Sequence, residues 1–227
     1  GSDARYMNLL NAVNDGTLSM EDLDRAVTRI LELVVKTPKF KGYVHSNTPD
    51  LEAHAKVCKK VADEGVVLLK NNGNALPVSK AQQIALFGTT SYDFIAGGTG
   101  SGNVNRPYVV DLMSGLSNLE FNLEPDVDAF YKEYMADETI RCKKLDGDSP
   151  WFVDRERAIE VIPVELIEKA AETSDAAMIT IGRVFGEGKD RDYYYSYLLT
   201  SREMELVRRV SEAFRAKGKT LTVIINS

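Results

Sequence analysis

Four short apolar runs constrain the fold of this chain more than any other feature of its sequence. They cover residues 66–69, 84–87, 176–181 and 221–225. Each run is too short for an ordinary helix and too uniformly apolar for a strand with one face in water. Such runs are typical of strands that are buried on both faces of a parallel sheet. We therefore predict four buried strands at these positions.

Helical patterns separate the last three runs. They cover residues 126–136 and 164–174, and a third begins at Thr200. The Thr200 side chain and Glu203 have the spacing of a capping box, and Gly218 suits the position that follows a helix. Strands that alternate with helices predict an α/β fold, in which helices flank an open, mainly parallel sheet.

The start of the chain is predicted to form two helices. The first ends before Gly16, and the second begins after Ser19 and ends at Pro38. One face of the second helix is uniformly apolar. Its members are Leu23, Ala26, Val27, Ile30, Leu31 and Val34.

Residues 37–49 contain several helix-breaking residues, so they predict a linker between two domains. A further helix follows, and Cys58 on its apolar face is predicted to be a small buried residue rather than a reactive thiol. The predicted organisation is a helical segment over residues 1–36, the linker, and an α/β domain over residues 50–227.

Charge and residue counts exclude several classes of protein. The chain carries 28 Lys and Arg against 34 Asp and Glu, a net charge of -6, so we expect neither nucleic acid nor an anionic membrane as a partner. Its apolar runs fall short of the roughly 20 residues needed to cross a bilayer. With 2 Cys and 2 His, we predict no zinc site and no cofactor. So few cysteines are typical of a cytoplasmic protein.

A glycine-rich loop at residues 97–104 follows the second apolar run. Ligands of open α/β sheets bind outside the carboxyl ends of the strands, so this loop is a candidate site. Backbone N–H groups in such a loop can bind phosphate, but its glycine spacing fits neither a dinucleotide fingerprint nor a P-loop. The other interpretation is a tight turn that lets a backbone or a ligand approach closely.

A second candidate loop follows the third run and contains Gly186-Glu187-Gly188. A carboxylate between two glycines can be aimed without steric cost, which suits a proton donor. The alternative is a charged turn in water, and the spacing alone does not decide between them. The tyrosines that follow, beginning with Tyr193, either contact the apolar face of a sugar or pack the loop.

Several motifs occur in a characteristic order along the chain. They are Glu64-Gly65-Val66-Val67-Leu68-Leu69-Lys70-Asn71, Leu76-Pro77, Ile84-Ala85-Leu86-Phe87-Gly88, Gly98-Thr99-Gly100-Ser101-Gly102, Asp175-Ala176-Ala177 and Gly186-Glu187-Gly188-Lys189-Asp190-Arg191. Together they resemble glycoside hydrolase family 3. The helical segment at the start of the chain is similar to the last helices of that family's barrel domain.

The resemblance implies a two-domain enzyme, in which a TIM-like barrel supplies an aspartate nucleophile and an α/β sandwich domain supplies the acid/base glutamate. Members are retaining, exo-acting β-glucosidases, β-xylosidases and their relatives. Glu187 matches the family's acid/base position, although Phe185 stands where the family's motif has serine. Asp190 and Arg191 match positions that we interpret as structural support of the catalytic loop.

On this basis the chain is expected to be an internal fragment of a β-glycosidase, inactive alone because the barrel with the nucleophile is missing. We expect a glycoside or oligosaccharide substrate, bound by Ser101, Gly102 and Tyr193. The apolar helix face near the start of the chain is expected to self-associate or to pack onto the sheet. The competing hypothesis is a non-catalytic α/β module that binds a carbohydrate or a phosphate.

Overall fold

The structure is a computed structural model, which describes residues 3–98, 100–102, 104–145, 161–183 and 193–227. The chain divides into two compact units, residues 1–67 and residues 68–227. The linker at residues 37–49 and the domain that starts at residue 50 stay predictions.

The first unit contains three helices, α1 (Asp3–Asn14), α2 (Met20–Lys36) and α3 (Leu51–Gly65). Ser19 caps α2 as predicted, because its hydroxyl accepts a hydrogen bond of 3.0 Å from the backbone N–H of Asp22. The helices of this unit contain no buried residue. Cys58 in α3 is exposed, so the prediction of a buried Cys58 is wrong. Helical periodicity identifies an apolar face but does not show what covers it.

A four-stranded parallel sheet forms the centre of the second unit, with strand order β2-β1-β3-β4. The strands are β1 (Gln83–Phe87), β2 (Asn122–Leu123), β3 (Ala176–Gly182) and β4 (Thr220–Asn226). The register places Phe87 of β1 opposite Ile179 of β3, which in turn pairs with Val223 of β4. The two-residue strand β2 was not predicted, since it is too short to leave a pattern.

Helices cover both faces of this sheet. They are α4 (Leu112–Asn118), α5 (Pro125–Leu145), α6 (Val164–Thr173) and α7 (Ser201–Ala216). Phe87 and Ile179 pack into a core with residues of α5, α6 and α7, whereas their neighbours Leu86 and Met178 pack into a second core with Leu116 of α4. This alternation follows from the period of two along a strand. The predicted α/β fold, with helices on an open parallel sheet, is confirmed.

Three of the four predicted strands are present, at residues 84–87, 176–181 and 221–225. The predicted burial is confirmed for the first two but is wrong for the third, because β4 has a single neighbouring strand in the described part of the chain and its Val223 and Ile225 are 43% and 62% exposed. The fourth prediction, a buried strand at residues 66–69, is wrong. These residues lie in irregular structure after α3, and their side chains are between 62% and 80% exposed. Four consecutive apolar residues show that a segment could be buried, but burial also requires a neighbouring strand and covering helices.

The start of α7 follows the predicted capping box. The Thr200 hydroxyl accepts a hydrogen bond of 3.2 Å from the backbone N–H of Glu203, and the Glu203 carboxylate accepts one of 2.7 Å from the backbone N–H of Thr200. The chain leaves the helix through Gly218, which has a φ of 69°.

Candidate functional site

The two candidate loops leave the same edge of the sheet. β1 and β3 are adjacent and parallel, so their carboxyl ends lie side by side. The chain after β1 leads into the glycine-rich loop, and the chain after β3 leads into the segment that contains Glu187. This arrangement fits the general rule that ligands of open α/β sheets bind beyond the carboxyl ends of the strands.

The turn after β1 packs directly on β3. Gly88 has a φ of 91°, and a Cβ atom there would lie 2.5 Å from the backbone oxygen of Thr180, so only glycine fits. The Thr90 hydroxyl donates a hydrogen bond of 3.0 Å to that oxygen, and the Ser91 hydroxyl donates one of 2.7 Å to the Thr180 hydroxyl. Ser91 is fully buried. The glycine-rich loop therefore starts from a fixed base on the neighbouring strand.

Ser101 and Gly102 lie together in a short helical turn, Gly100–Gly102. Both residues are exposed. A Cβ atom on Gly102 would have no heavy atom within 4 Å, whereas one on Gly97 would lie 3.1 Å from the Gly102 carbonyl oxygen. The loop thus folds back on itself at Gly97 and presents the turn with Ser101 and Gly102 to solvent.

Arg183, the residue that follows β3, forms an ion pair with Glu203 of α7. Its guanidinium nitrogens lie 2.6 Å and 2.9 Å from the two Glu203 carboxylate oxygens, and it also donates to the carbonyl oxygens of Gly182 and Leu198. The side chains of Arg183 and Glu203 are only 13% and 3% exposed. Bidentate geometry of this kind is among the strongest for an ion pair.

This ion pair was missed by sequence reasoning. Glu203 was predicted as a capping residue, and the structure shows that the same carboxylate also binds Arg183, 20 positions earlier in the chain. The pair joins the residue before the Glu187 segment to the residues after it. Residues 183 and 198–203 are thereby held together at the end of β3.

Asn226, the last residue of β4, contacts the residues that lead into both candidate loops. Its side-chain oxygen accepts a hydrogen bond of 2.7 Å from the backbone N–H of Ile95, and its amide nitrogen donates one of 3.3 Å to the carbonyl oxygen of Ile95. Its own carbonyl oxygen accepts a hydrogen bond of 2.9 Å from the backbone N–H of Arg183. These contacts could not be predicted from local sequence patterns, because they join positions far apart in the chain.

Tyr193 lies in a separate turn, Tyr193–Tyr197, that precedes α7. Its ring is stacked on that of Tyr197 at a centroid distance of 5.9 Å and meets the ring of Tyr194 edge-on at 5.1 Å. Tyr193 is 57% exposed. The structure thus brings Ser101 and Gly102 together in one turn and places Tyr193 in another.

Glu187, Asp190 and Arg191 lie outside the described residues, so their roles stay predictions. A cavity of about 10 Å³, with room for about one water molecule, lies near the end of β3 and is lined in part by Thr90 and Glu203. Ligand pockets commonly measure about 300–1,000 Å³, so this cavity is far too small to hold a sugar.

The described residues contain neither a cluster of metal-binding side chains nor a membrane-spanning helix. No three or more His, Cys, Asp or Glu residues in this part of the chain are grouped in a way that could hold a metal ion. Within the same residues, the helices are all too short or too polar to span a bilayer.

Comparison with protein families identifies this architecture. A model of the glycosyl hydrolase family 3 C-terminal domain matches residues 66–227. The chain belongs to glycosyl hydrolase family 3. The match includes all four strands of the sheet and both candidate loops, so the family assigned from sequence motifs is confirmed.

Several beta-glucosidases are similar to this chain. It is 38% identical over 142 residues to beta-glucosidase A of Butyrivibrio fibrisolvens, and this alignment covers 62% of this chain and 16% of that protein. It is 36% identical over 169 residues to a beta-glucosidase of Ruminococcus albus, with coverage of 73% and 17%. Beta-glucosidase 3B of Thermotoga neapolitana, solved in complex with alpha-D-glucose, matches 97% of this chain and 30% of its own with a TM-score of 0.86 and 36% identity. The chain thus spans less than a third of each of these relatives.

Proposed function

We propose that this chain supplies the acid/base part of the active site in a retaining, exo-acting β-glycosidase of the β-glucosidase or β-xylosidase type. The observation that carries the proposal is the family 3 match over residues 66–227, whose relatives are named beta-glucosidases. The proposed substrate is a glycoside or oligosaccharide with a terminal β-linked sugar.

Glu187 is the proposed general acid and base. Retaining hydrolysis requires two carboxyl groups about 5 Å apart. One attacks the anomeric carbon, while the other donates its proton to the departing glycosidic oxygen. In the second step, the second group takes a proton from water, which attacks the anomeric carbon and releases the first carboxylate. Glu187 lies in the segment that leaves the carboxyl end of β3, where an α/β sheet binds its ligand.

Neighbouring residues are proposed to hold the sugar and the catalytic loop. Ser101 and Gly102 are exposed in the turn that follows β1, where a hydroxyl and a backbone N–H can bind sugar hydroxyls. The exposed ring of Tyr193 can pack on the apolar face of a sugar. Asp190 and Arg191 are proposed to support the catalytic loop.

The nucleophile is proposed to come from a barrel domain, of which residues 1–36 would be the last helices. The α/β sandwich domain would then extend over residues 50–227, after a linker at residues 37–49. On this proposal the chain alone does not hydrolyse glycosides. We place the enzyme in the cytoplasm on the basis of its few cysteines.

The N-terminal helices are proposed to self-associate when the chain is studied alone. Val27, Ile30, Leu31 and Val34 of α2 are between 43% and 63% exposed. A contiguous apolar face of this kind favours association in water. Light scattering that shows a monomer over a wide concentration range, with protease-sensitive N-terminal helices, would contradict self-association.

The function is tested by Glu187→Gln in a full-length enzyme that contains this chain. The amide cannot donate the proton, so kcat for substrates with poor leaving groups is expected to fall by about 10²–10⁴. Substrates with activated leaving groups need little protonation, and azide should restore their turnover by attacking the glycosyl-enzyme in place of water. The matched control is Glu212→Gln, which changes an exposed carboxylate of α7.

The two variants separate the competing functions. Loss of activity in Glu187→Gln, azide rescue and an unchanged Glu212→Gln enzyme support the acid/base role. Equal activity in both variants would remove Glu187 from the mechanism and favour a binding module.

A further inference from the structure

Asn226 forms a reciprocal pair with a single residue of another loop. Both the N–H and the carbonyl group of Ile95 are bound by the Asn226 side-chain amide. Two hydrogen bonds from one planar group fix the orientation of the peptide as well as its position. Ile95 lies between β1 and the glycine-rich loop, so the amide fixes the segment through which that loop is reached.

The same residue also holds the start of the Glu187 segment. Asn226 pairs with Gly182 in the β3–β4 register, and its carbonyl oxygen accepts the hydrogen bond from the backbone N–H of Arg183. Arg183 is the last described residue before Glu187. Asn226 is therefore bonded through its backbone to the residue that leads into the Glu187 segment, and through its side chain to the segment that leads into the glycine-rich loop.

Side-chain packing at Gly182 strengthens this junction. A Cβ atom on Gly182 would lie 2.6 Å from the end of the Ile95 side chain and 2.5 Å from a methyl group of Thr90. The absence of a side chain at Gly182 thus lets Ile95 pack directly over the end of β3. Ile95, Gly182 and Asn226 join the carboxyl ends of β1, β3 and β4.

We propose that Asn226 is a positioning residue for the reaction, which fixes the segment leading to Ser101 and Gly102 relative to Arg183 at the end of β3, the residue that leads toward Glu187. This inference rests on the proposed function. Displacement of a positioned group by about 1 Å can reduce the rate of an enzyme by about 100-fold. A residue that joins a sugar-binding loop to an acid/base loop is therefore expected to affect catalysis without contacting the substrate.

The chain offers a closely matched control. Asn71 forms the same reciprocal pair with Leu76, at 2.8 Å and 3.0 Å, but the two residues are only five positions apart in one loop. Asn71→Ala removes the same two kinds of hydrogen bond as Asn226→Ala, yet it separates no two loops of the candidate site. If Asn226→Ala reduces activity more than Asn71→Ala does, the difference comes from the loss of the contact between Asn226 and Ile95 and not from the loss of an asparagine as such.

The test measures kcat and KM for aryl β-glucosides in the full-length enzyme. We expect Asn226→Ala to lower kcat/KM by about 10-fold or more, with kcat itself reduced, and Asn71→Ala to change it by less than about 2-fold. Asn226→Asp keeps an acceptor for the Ile95 N–H but loses the donor, so it should recover part of the loss. Equal kcat/KM values for Asn226→Ala and Asn71→Ala would overturn the proposal.

A second readout does not depend on activity. In the 227-residue chain, amide exchange of Ile95 and the NMR shifts of residues 97–102 should change in Asn226→Ala and stay unchanged in Asn71→Ala. If Asn226→Ala does not fold, the NMR shifts of residues 97–102 are measured in Asn226→Asp instead. Unchanged shifts in that variant would contradict the proposal that Asn226 positions these residues. Shift changes together with a fully active Glu187→Gln enzyme would leave the junction in place and refute the proposed function instead.

Discussion

Residues 66–69 and residues 84–87 are two apolar runs of equal length, but one is exposed and the other is buried. The second run forms most of β1, and its side chains are between 0% and 1% exposed. The first lies in irregular structure, and its side chains are between 62% and 80% exposed. The sequence pattern of a buried strand is present in both, so the pattern alone cannot account for the difference.

The difference comes from neighbours. β1 lies between β2, which pairs with Gln83 and Ile84, and β3, which pairs with residues 84–87. Its two faces are covered by separate cores, one with α5, α6 and α7 and one with α4. Burial of an apolar side chain is favourable only when other groups replace the water around it. The comparison shows that an apolar run forms a buried strand only where neighbouring strands and helices cover it.

The largest expected effect separates these two runs. Phe87→Ala should reduce the free energy of unfolding by about 3–5 kcal/mol, because it leaves a cavity in a core that includes Phe214 and Ile179. Leu68→Ala should change it by less than about 0.5 kcal/mol, since Leu68 is 62% exposed. Urea unfolding followed by circular dichroism measures both. A similar loss in the two variants would show that residues 66–69 are buried in solution.

A second prediction applies the same comparison to ion pairs. Arg183→Met should reduce the free energy of unfolding by about 3 kcal/mol, because it leaves the buried Glu203 carboxylate without its partner. Arg208→Met removes a residue whose ion pairs on α7 are solvent-exposed, and it should leave stability nearly unchanged. Thermal unfolding at pH 7 tests the pair. If the Arg183 variant were as stable as the Arg208 variant, the ion pair would not anchor the end of β3.

The smallest expected effect on the free energy of unfolding comes from Tyr92, and this effect depends on pH. Burial is the main cause that raises the pKa of the Tyr92 hydroxyl far above its ordinary value, with further contributions from Asp128, Asp111 and Glu124. The hydroxyl also donates a hydrogen bond of 3.2 Å to the Leu86 carbonyl oxygen. In the folded protein Tyr92 therefore stays neutral at pH values where the unfolded chain ionises.

The sign of the pH effect follows from this raised pKa. The contribution of Tyr92 to stability is fully present below the tyrosine pKa of about 10 in the unfolded chain, and it is lost as the pH rises further. Tyr92→Phe should reduce the free energy of unfolding by about 1 kcal/mol at pH 7, and this deficit should shrink above pH 10. Urea unfolding from pH 7 to 11 measures it, with the exposed Tyr43→Phe as a control at pH 7. A deficit that grows with pH would contradict the burial of the hydroxyl.

Much of the fold could be predicted from local signals. Continuous apolar runs indicated three of the strands, and the Thr200 capping box marked the start of α7. The motif order predicted the family, which the match over residues 66–227 confirms. These features depend on residues that are close together in the sequence.

The rest could not be predicted because it depends on distant residues. The exposure of Cys58 and of residues 66–69 depends on whether other elements cover them. The Arg183–Glu203 pair joins residues 20 positions apart, and the Asn226–Ile95 pair joins residues 131 positions apart. Nothing in the local pattern of either asparagine distinguishes Asn226 from Asn71. The roles of Glu187, Ser101, Gly102 and Tyr193 also remain predictions.

The most direct test of the central claim is hydrolysis of a panel of aryl β-glycosides by this chain alone and by a full-length enzyme that contains it. The proposal predicts no hydrolysis by the chain above the uncatalysed rate, because the second carboxylate comes from another domain. It predicts hydrolysis by the full-length enzyme, which Glu187→Gln reduces most for the glycosides with poor leaving groups. Hydrolysis by the chain alone that is lost in Glu187→Gln would contradict the account, since both carboxylates would then lie within these 227 residues.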